Sequence, residues 1–272
     1  MREYDICKVC SGNLDEINSK FHLVKCRNCK LVFCKKIFSQ EEFINTYNTL
    51  YNKSSQYSTH LNEFKNLKQN KRIRIGKVKM KVLRFIKKKK TKRLAEIGAG
   101  VGLIARFFQN NQIEYQGLEL DKTTVSRAQS LGLPISCGDF TLLNEFENDY
   151  DAIVAFEVIE HLQDLHALFL MLKSKLKENG YFGFTVPNYD KRLNFKRPED
   201  RIYQSAPPIH LNFFTTESIE LIAAFYGFRV VFCKEKRFPF LLWKRKETYI
   251  NLLKGILGQF HGPSIYAVIQ KS

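Results

Sequence analysis

Four cysteines stand in two pairs, Cys7-Lys-Val-Cys10 and Cys26-Arg-Asn-Cys29, with 15 residues between the pairs. Each Cys-x-x-Cys turn can aim two thiolates at one point. Two such turns supply the four sulfurs of a tetrahedral zinc centre and leave no open position. The expected zinc, held by Cys7, Cys10, Cys26 and Cys29, is therefore structural, and it would stabilise a module too small to bury a core of its own. A redox dithiol is the competing chemistry, and the duplication of the motif argues against it. Gly12, just after the first pair, is expected to give that turn its freedom. Cys34 reads as a spare thiol, and Cys137 and Cys233 as core residues of strands.

A second constellation begins at Glu96-Ile-Gly-Ala-Gly-Val-Gly102. Gly98, Gly100 and Gly102, with Ala99 between them, permit a tight turn and let a ligand approach the backbone. The helix expected to follow offers free N–H groups at its start. A dinucleotide-binding turn wants a small residue at position 103, where this chain has Leu103. Glu119, followed by Leu120, ends the next strand about 20 residues further on. A carboxylate there can accept hydrogen bonds from both hydroxyls of a ribose. Cys137-Gly-Asp139-Phe140 ends a third strand and suits an adenine, with Asp139 taking its amine and Phe140 packing on the base. Tyr150 to Phe156 runs as an apolar strand into the polar turn Glu157-Val-Ile-Glu160-His161.

Taken together, these four motifs resemble class I S-adenosylmethionine-dependent methyltransferases in order and spacing, over about residues 93–235. The resemblance implies an α/β fold: a Rossmann-like, doubly wound seven-stranded sheet whose last strand is antiparallel. It also implies S-adenosyl-L-methionine as methyl donor. Glu96, Gly98, Ala99, Gly100 and Gly102 would lie beside the methionine moiety, and Glu119 with Leu120 would hold the ribose. Asp139 and Phe140 would frame the adenine, and Phe156 and Glu157 would wall the cofactor. Glu96 stands where Asp is commoner in the family. A sulfonium methyl is already activated, so catalysis of its transfer rests on alignment. A general base matters only where the acceptor must lose a proton.

For the acceptor side, the segment from Arg201 to Ser218 leads from the fifth strand's exit to a helix capped by Thr215 or Thr216. Pro207 and Pro208 stiffen the approach to His210. A loop at the carboxyl end of an open α/β sheet is where substrates bind, and an imidazole titrates near neutrality. The four-cysteine module, the methyltransferase core and this loop are together similar to the C-methyltransferases of deoxysugar biosynthesis. That similarity implies His210 as base and Tyr203 as its helper, with Ile209 standing where the family has Glu. The plainer reading of His210 is packing or helix capping. His161, beside Glu160 at the end of the fourth strand, is a further catalytic candidate or a support of its turn. Val186-Pro-Asn188-Tyr189 is expected to line the acceptor pocket.

The elements that must position these residues fall into three segments. Residues 1–38 form the zinc ribbon and 39–92 a basic helical arm, opened by Ser39 with Glu41 and Glu42 in its first turn. From 93 to 272 strand and helix patterns alternate, the mark of a parallel sheet with crossover helices. Strands are expected near 93–97, 114–119, 133–137, 150–156, 180–186, 228–235 and 263–270. Helices are expected near 102–110, 122–131, 164–177 and 215–226. The stretch 239–262 interrupts the alternation, either as a lid or insertion over the core or as an amphipathic helix for a membrane surface or partner.

The net charge is +17, and all the excess lies before Glu96: residues 1–95 hold 24 Lys and Arg against 7 Asp and Glu, the rest 20 of each. Such a surface suits phosphate-bearing partners. The alternative is a solvated helix face, with Phe64, Leu67, Ile75, Val78, Val82 and Ile86 turned inward. No run of 18 or more apolar residues is present, so no spanning helix is expected. The first residues lack the apolar core of a signal peptide, which points to the cytoplasm. The expected activity is methylation of a small molecule, a nucleotide-linked sugar or another glycan precursor, at carbon or oxygen. The alternative is methylation of RNA held by ribbon and arm. A binding protein with a vestigial cofactor fold is the third reading, against which the intact glycine run and Glu119 argue.

Overall fold

The computed structural model describes residues 2–39, 41–42, 55–109, 111–147, 149–192, 207–235, 246–257 and 261–272. Five short strands come first: β1 (Arg2–Glu3), β2 (Leu14–Asn18), β3 (Leu23–Cys26), β4 (Val32–Cys34) and β5 (Lys36–Ile37). Next come β6 (Arg93–Ile97), β7 (Glu114–Glu119), β8 (Ile135–Cys137), β9 (Tyr150–Phe156) and β10 (Leu176–Pro187). The last three are β11 (Asn212–Phe213), β12 (Phe228–Glu235) and β13 (Ser264–Lys271). Seven of them form the central sheet in the order β12-β13-β10-β9-β6-β7-β8. The pairs among β6 to β10 are parallel, and β13 runs antiparallel between β10 and β12. This is the seven-stranded α/β arrangement expected.

Alternation in β9 explains the two faces of the sheet. Ile153 and Ala155 join one hydrophobic cluster, and Ala152, Val154 and Phe156 join the other. Such strands are buried on both sides because helices cover both. The first face packs against the helices Leu165–Lys175 and Thr216–Phe225, the second against Leu103–Phe108 and Lys122–Gln129. Thr215 caps the Thr216–Phe225 helix in a reciprocal capping box with Ser218. β10 starts earlier than expected, at Leu176, because Leu176 pairs with Tyr150 before an irregularity that ends at Tyr181.

The arm is less continuous than its pattern suggested. Within 39–92 the described helices are Ser55–Lys68 and Lys77–Lys88, separated by residues 69–76. At Ser39 a capping box does form: Glu42 N–H donates to the Ser39 hydroxyl at 3.1 Å, and Ser39 N–H to the Glu42 carboxylate at 2.8 Å. Leu67, Val82 and Ile86 are buried on the second face of the sheet, with Phe64, Ile75 and Val78 packed beside them. The inward stripe is therefore real, and the lysines occupy what remains of the helix surface.

The ribbon does not stand apart. β2, β3 and β4 form a sheet whose fourth strand is β11, contributed by the chain 180 residues later, with Asn212 opposite Phe33 and Phe213 opposite Val32. Gln163 clamps Phe38 at both its N–H (2.8 Å) and its carbonyl (3.0 Å). Tyr226, stacked on Phe169 with ring centroids 4.6 Å apart, donates to the Val9 carbonyl at 3.2 Å. Cys7, Val9, Cys26, Cys29 and Phe33 lie in the same hydrophobic cluster as Ile153 and Phe214. Among the described residues no helix is long and apolar enough to cross a membrane.

Candidate functional site

The two cysteine turns have the same build. Ser11 N–H bonds the Cys7 carbonyl and Lys30 N–H the Cys26 carbonyl, and both Ser11 and Lys30 take left-handed backbone. The N–H groups of Val9 and Asn28 point at the sulfurs of Cys7 and Cys26, at 3.4 and 3.3 Å. The turn therefore draws its left-handed residue from Ser11, not Gly12. Gly12 serves close approach, because a Cβ there would stand 2.8 Å from the Asn28 side chain. The sulfurs pair at 3.6 Å (Cys7 with Cys29) and 3.4 Å (Cys10 with Cys26), and all four lie within 4.8 Å of one another. Zinc–sulfur bonds of about 2.3 Å in a tetrahedron require sulfurs roughly 3.8 Å apart. The cluster fits zinc, and four protein sulfurs leave that ion no vacant position for chemistry. Of the other cysteines, Cys34 is buried, Cys233 is half-buried and Cys137 is exposed. Cys137 is thus not the core residue its place in a strand suggested: it is the last residue of β8, where the strand runs out at the carboxyl edge of the sheet.

The glycine run leaves β6 at its carboxyl end and enters the helix Leu103–Phe108. Gly98, Gly100 and Gly102 all have positive φ, at 73°, 54° and 88°. At Gly98 a Cβ would also meet Val158 at 2.5 Å, so an alanine there is excluded by both strain and space. Ala99 and Glu96 are buried beside the run. Glu119, at the end of β7, is 7% exposed and is held by three amides: Gly100 N–H at 3.0 Å, Leu120 N–H at 2.8 Å and Asp121 N–H at 3.1 Å. Burial pushes its carboxyl up, and those three donors oppose the shift. The neighbouring Leu120 side chain is exposed.

Asp139 caps the short helix Phe140–Glu145 by accepting from the Thr141 N–H (2.8 Å) and hydroxyl (2.5 Å), with Phe140 buried behind it. Phe156 is buried, while Glu157 takes φ 59° where β9 breaks into its turn. The cofactor candidates of four separate motifs thus gather along the carboxyl ends of β6, β7, β8 and β9. In an open α/β sheet this is where ligands bind. Replacing Glu119 with alanine is expected to weaken binding of S-adenosylhomocysteine about 10- to 100-fold, from lost hydrogen bonds to a charged group. Calorimetry showing unchanged affinity would remove Glu119 from the ribose site.

Glu96 accepts a hydrogen bond from the buried Tyr115 hydroxyl. Burial pushes its carboxyl up to about 8, partly offset by the Tyr115 hydroxyl and by Lys79, while Glu119 adds to the rise. A raised carboxyl binds its proton more tightly in the folded state, so its stabilising contribution is full below 4.5 and is lost as pH rises through about 8. Glu96→Gln keeps an acceptor for Tyr115 and should flatten that pH dependence in the cofactor-free protein. Denaturant midpoints taken across that range check it, and an unaltered slope in the variant would refute the assignment.

Two residues at this cleft carried no sequence signal beyond their place in a basic arm. A Cβ on Gly100 would meet the His60 imidazole at 3.4 Å, so the helix Ser55–Lys68 lies over the glycine run. Lys79 Nζ sits 5.5 Å from the centre of the Phe156 ring, and its charge reaches Glu96, His60 and Glu63. Only the packing of the arm on the sheet reveals them.

On the acceptor side, the turn after β9 and the loop before β11 are stitched together. The Glu160 carbonyl accepts from Leu211 N–H (2.8 Å) and Asn212 N–H (2.9 Å), and the Asn212 amide donates to the carbonyls of Ile159 (2.9 Å) and Leu162 (2.7 Å). His161 Nδ1 bonds the Ile209 carbonyl at 2.7 Å, and its ring meets that of His210 edge-on with centroids 4.8 Å apart. Burial lowers the His161 pKa, opposed by that carbonyl. Glu160, His161 and His210 therefore come together, although 48 residues lie between the last two. Tyr203 lies outside the described residues, as do 239–245 and 258–260 of the stretch read as a lid. The rest of that stretch holds the helix Lys246–Ile256. Tyr189, expected to line the acceptor pocket, packs against Phe213, Leu211 and Cys34 of the β4–β11 side, beside the ribbon.

The sheet order, with five parallel strands and β13 inserted antiparallel, is that of the seven-stranded α/β methyltransferase fold. Residues 71–232 match the methyltransferase-domain family, and the chain belongs to it. Over 111 residues it is 26% identical to the ubiquinone biosynthesis O-methyltransferase of Proteus mirabilis, a match covering 38% of this chain and 45% of that enzyme. The chain thus spans less than half the length of that relative. Among solved structures it resembles an S-adenosylmethionine-dependent methyltransferase from Archaeoglobus fulgidus, with TM-score 0.53 and 21% identity over 72% of this chain and 95% of that one. It also resembles a plantazolicin methyltransferase crystallised with S-adenosylhomocysteine, with TM-score 0.50 and 14% identity over 71% of this chain and 84% of that one. At these identities the structural likeness speaks for the fold alone.

Proposed function

We propose that the chain transfers the methyl group of S-adenosylmethionine to a phosphate-bearing small molecule, a nucleotide-linked sugar or another glycan precursor. The acceptor is received on the side of the cleft lined by His161 and His210. The observation that carries this reading is the tie between the turn after β9 and the His210 loop, which sets an imidazole beside the cofactor strand ends. In the transfer the acceptor's nucleophile bonds the methyl carbon as the carbon–sulfur bond breaks, leaving S-adenosylhomocysteine. His210 takes the acceptor's proton, and Tyr203 helps hold the substrate. Glu96, Gly98, Ala99, Gly100 and Gly102 flank the methionine moiety, Glu119 and Leu120 the ribose, Asp139 and Phe140 the adenine, and Phe156 and Glu157 wall the cofactor. The similarity to deoxysugar C-methyltransferases supports the sugar, and the relative's name supports an oxygen acceptor. A cytoplasmic location accords with four reduced cysteines.

The second reading, RNA as acceptor, draws on the lysines of residues 65–93. Methyl-labelled S-adenosylmethionine supplied with a panel of nucleotide-linked sugars and with total RNA separates the two. Label in the small-molecule fraction supports the proposal, and label confined to RNA overturns it.

A further inference from the structure

Besides the four cysteines, one other group of metal-ligating side chains comes together among the described residues. The Glu160 carboxylate and the imidazoles of His161 and His210 offer donor atoms that all lie within 4.8 Å of one another. Glu160 is 1% exposed, and a carboxyl group at that depth is either protonated or paired with a positive charge. Its Oε1 stands 3.9 Å from His161 Nε2.

The orientation of His161 is informative. A carbonyl can only accept, so the 2.7 Å contact with Ile209 places a proton on Nδ1, and the neutral ring then carries its lone pair on Nε2, the nitrogen turned toward Glu160. An imidazole fixed by a backbone carbonyl on one nitrogen, with the other free to bind, is the arrangement that supports metal-bound histidines. The same Ile209 delivers His210, the next residue. The amides of Leu211 and Asn212 lock the loop to the Glu160 carbonyl, so the two ligand-bearing segments hold a common geometry.

We propose that Glu160, His161 and His210 bind a divalent transition-metal cation whose remaining positions receive an oxygen of the acceptor. One carboxylate and two imidazoles suit manganese, iron or zinc, and three protein ligands leave coordination sites open. This rests on the reading that the acceptor enters beside His210. A hydroxyl bound there would ionise more readily and lose its proton to water. Its oxygen then bonds the methyl carbon while the carbon–sulfur bond breaks. In that state His210 ligates through the nitrogen that would otherwise take the proton, so cation and general base are alternative routes at one site.

Manganese separates the routes, because it binds oxygen and imidazole and leaves a zinc-filled thiolate site alone. The zinc-loaded protein should bind one manganese per chain, followed by calorimetry and by loss of the free-ion paramagnetic signal. His210→Ala and His161→Ala should weaken that binding at least ~10-fold while the zinc content stays at one per chain. Glu160→Gln should do the same where circular dichroism shows it folded. Wild-type protein that takes up no manganese and carries a single zinc overturns the proposal, as does binding that survives His210→Ala. If manganese fails to bind but His210→Ala still abolishes transfer, the cation is wrong and the base reading stands. If His210→Ala retains full transfer to a sugar acceptor, the base reading fails as well.

Discussion

Stripping the zinc with a strong chelator, or replacing Cys26 with serine, is expected to abolish methyl transfer although the cysteines do no chemistry. Cys26 is fully buried and closes β3, the strand between β2 and β4, and β4 in turn pairs with β11. The Cys34 N–H also donates to the Leu211 carbonyl at 2.9 Å, one residue from His210. Loss of the ion therefore removes the partner strand of the acceptor loop. The free energy at stake is large. Zinc bound by four thiolates contributes about 10–16 kcal/mol in small modules, as much as the whole stability of an ordinary domain. Near-complete loss of turnover is expected, with a drop in melting temperature that added zinc reverses for the chelated protein and not for Cys26→Ser. Affinity for S-adenosylhomocysteine should fall less, because the glycine run and Glu119 are braced by β6, β7 and the arm. A chelated protein with full turnover would show that β11 holds its place unaided.

His210→Ala should lower kcat by about 10²- to 10⁴-fold, the range lost with a positioned proton acceptor. Affinity for S-adenosylhomocysteine should stay within about twofold, since His210 belongs to the loop before β11 and not to the strand ends proposed to hold the cofactor. The contrast with Glu119→Ala is the control: one variant should fail at transfer and the other at cofactor binding. An equal loss of cofactor affinity in His210→Ala would mean that the loop, and not the imidazole, is what the substitution removes.

Much of the local geometry at the carboxyl ends of β6 to β9 was legible from local pattern. Glu96 to Gly102 is one strand end and one turn, and three positive φ angles there demand glycine or pay strain. Glu119 closes β7 and Asp139 follows β8 by two residues, positions read from the strands' own spacing without knowing what packs on them. The surroundings of Tyr189 were not legible in this way. Its position after β10 gives no sign that Leu23, Val32 and Cys34 of the ribbon pack around it.

By itself, the sequence determined the two cysteine turns, the seven strands of the central sheet with four of their helices and the glycine run, since each depends on residues within a few positions of one another. The tertiary structure alone decided that the ribbon lends β4 to β11, that Gln163 clamps Phe38, that His60 and Lys79 of the arm close over the glycine run, and that His210 meets His161 and Glu160. Those contacts join residues tens to hundreds of positions apart. They arise because the two faces of one sheet must both be covered, and nothing in the spacing of neighbouring residues records which segment covers which face.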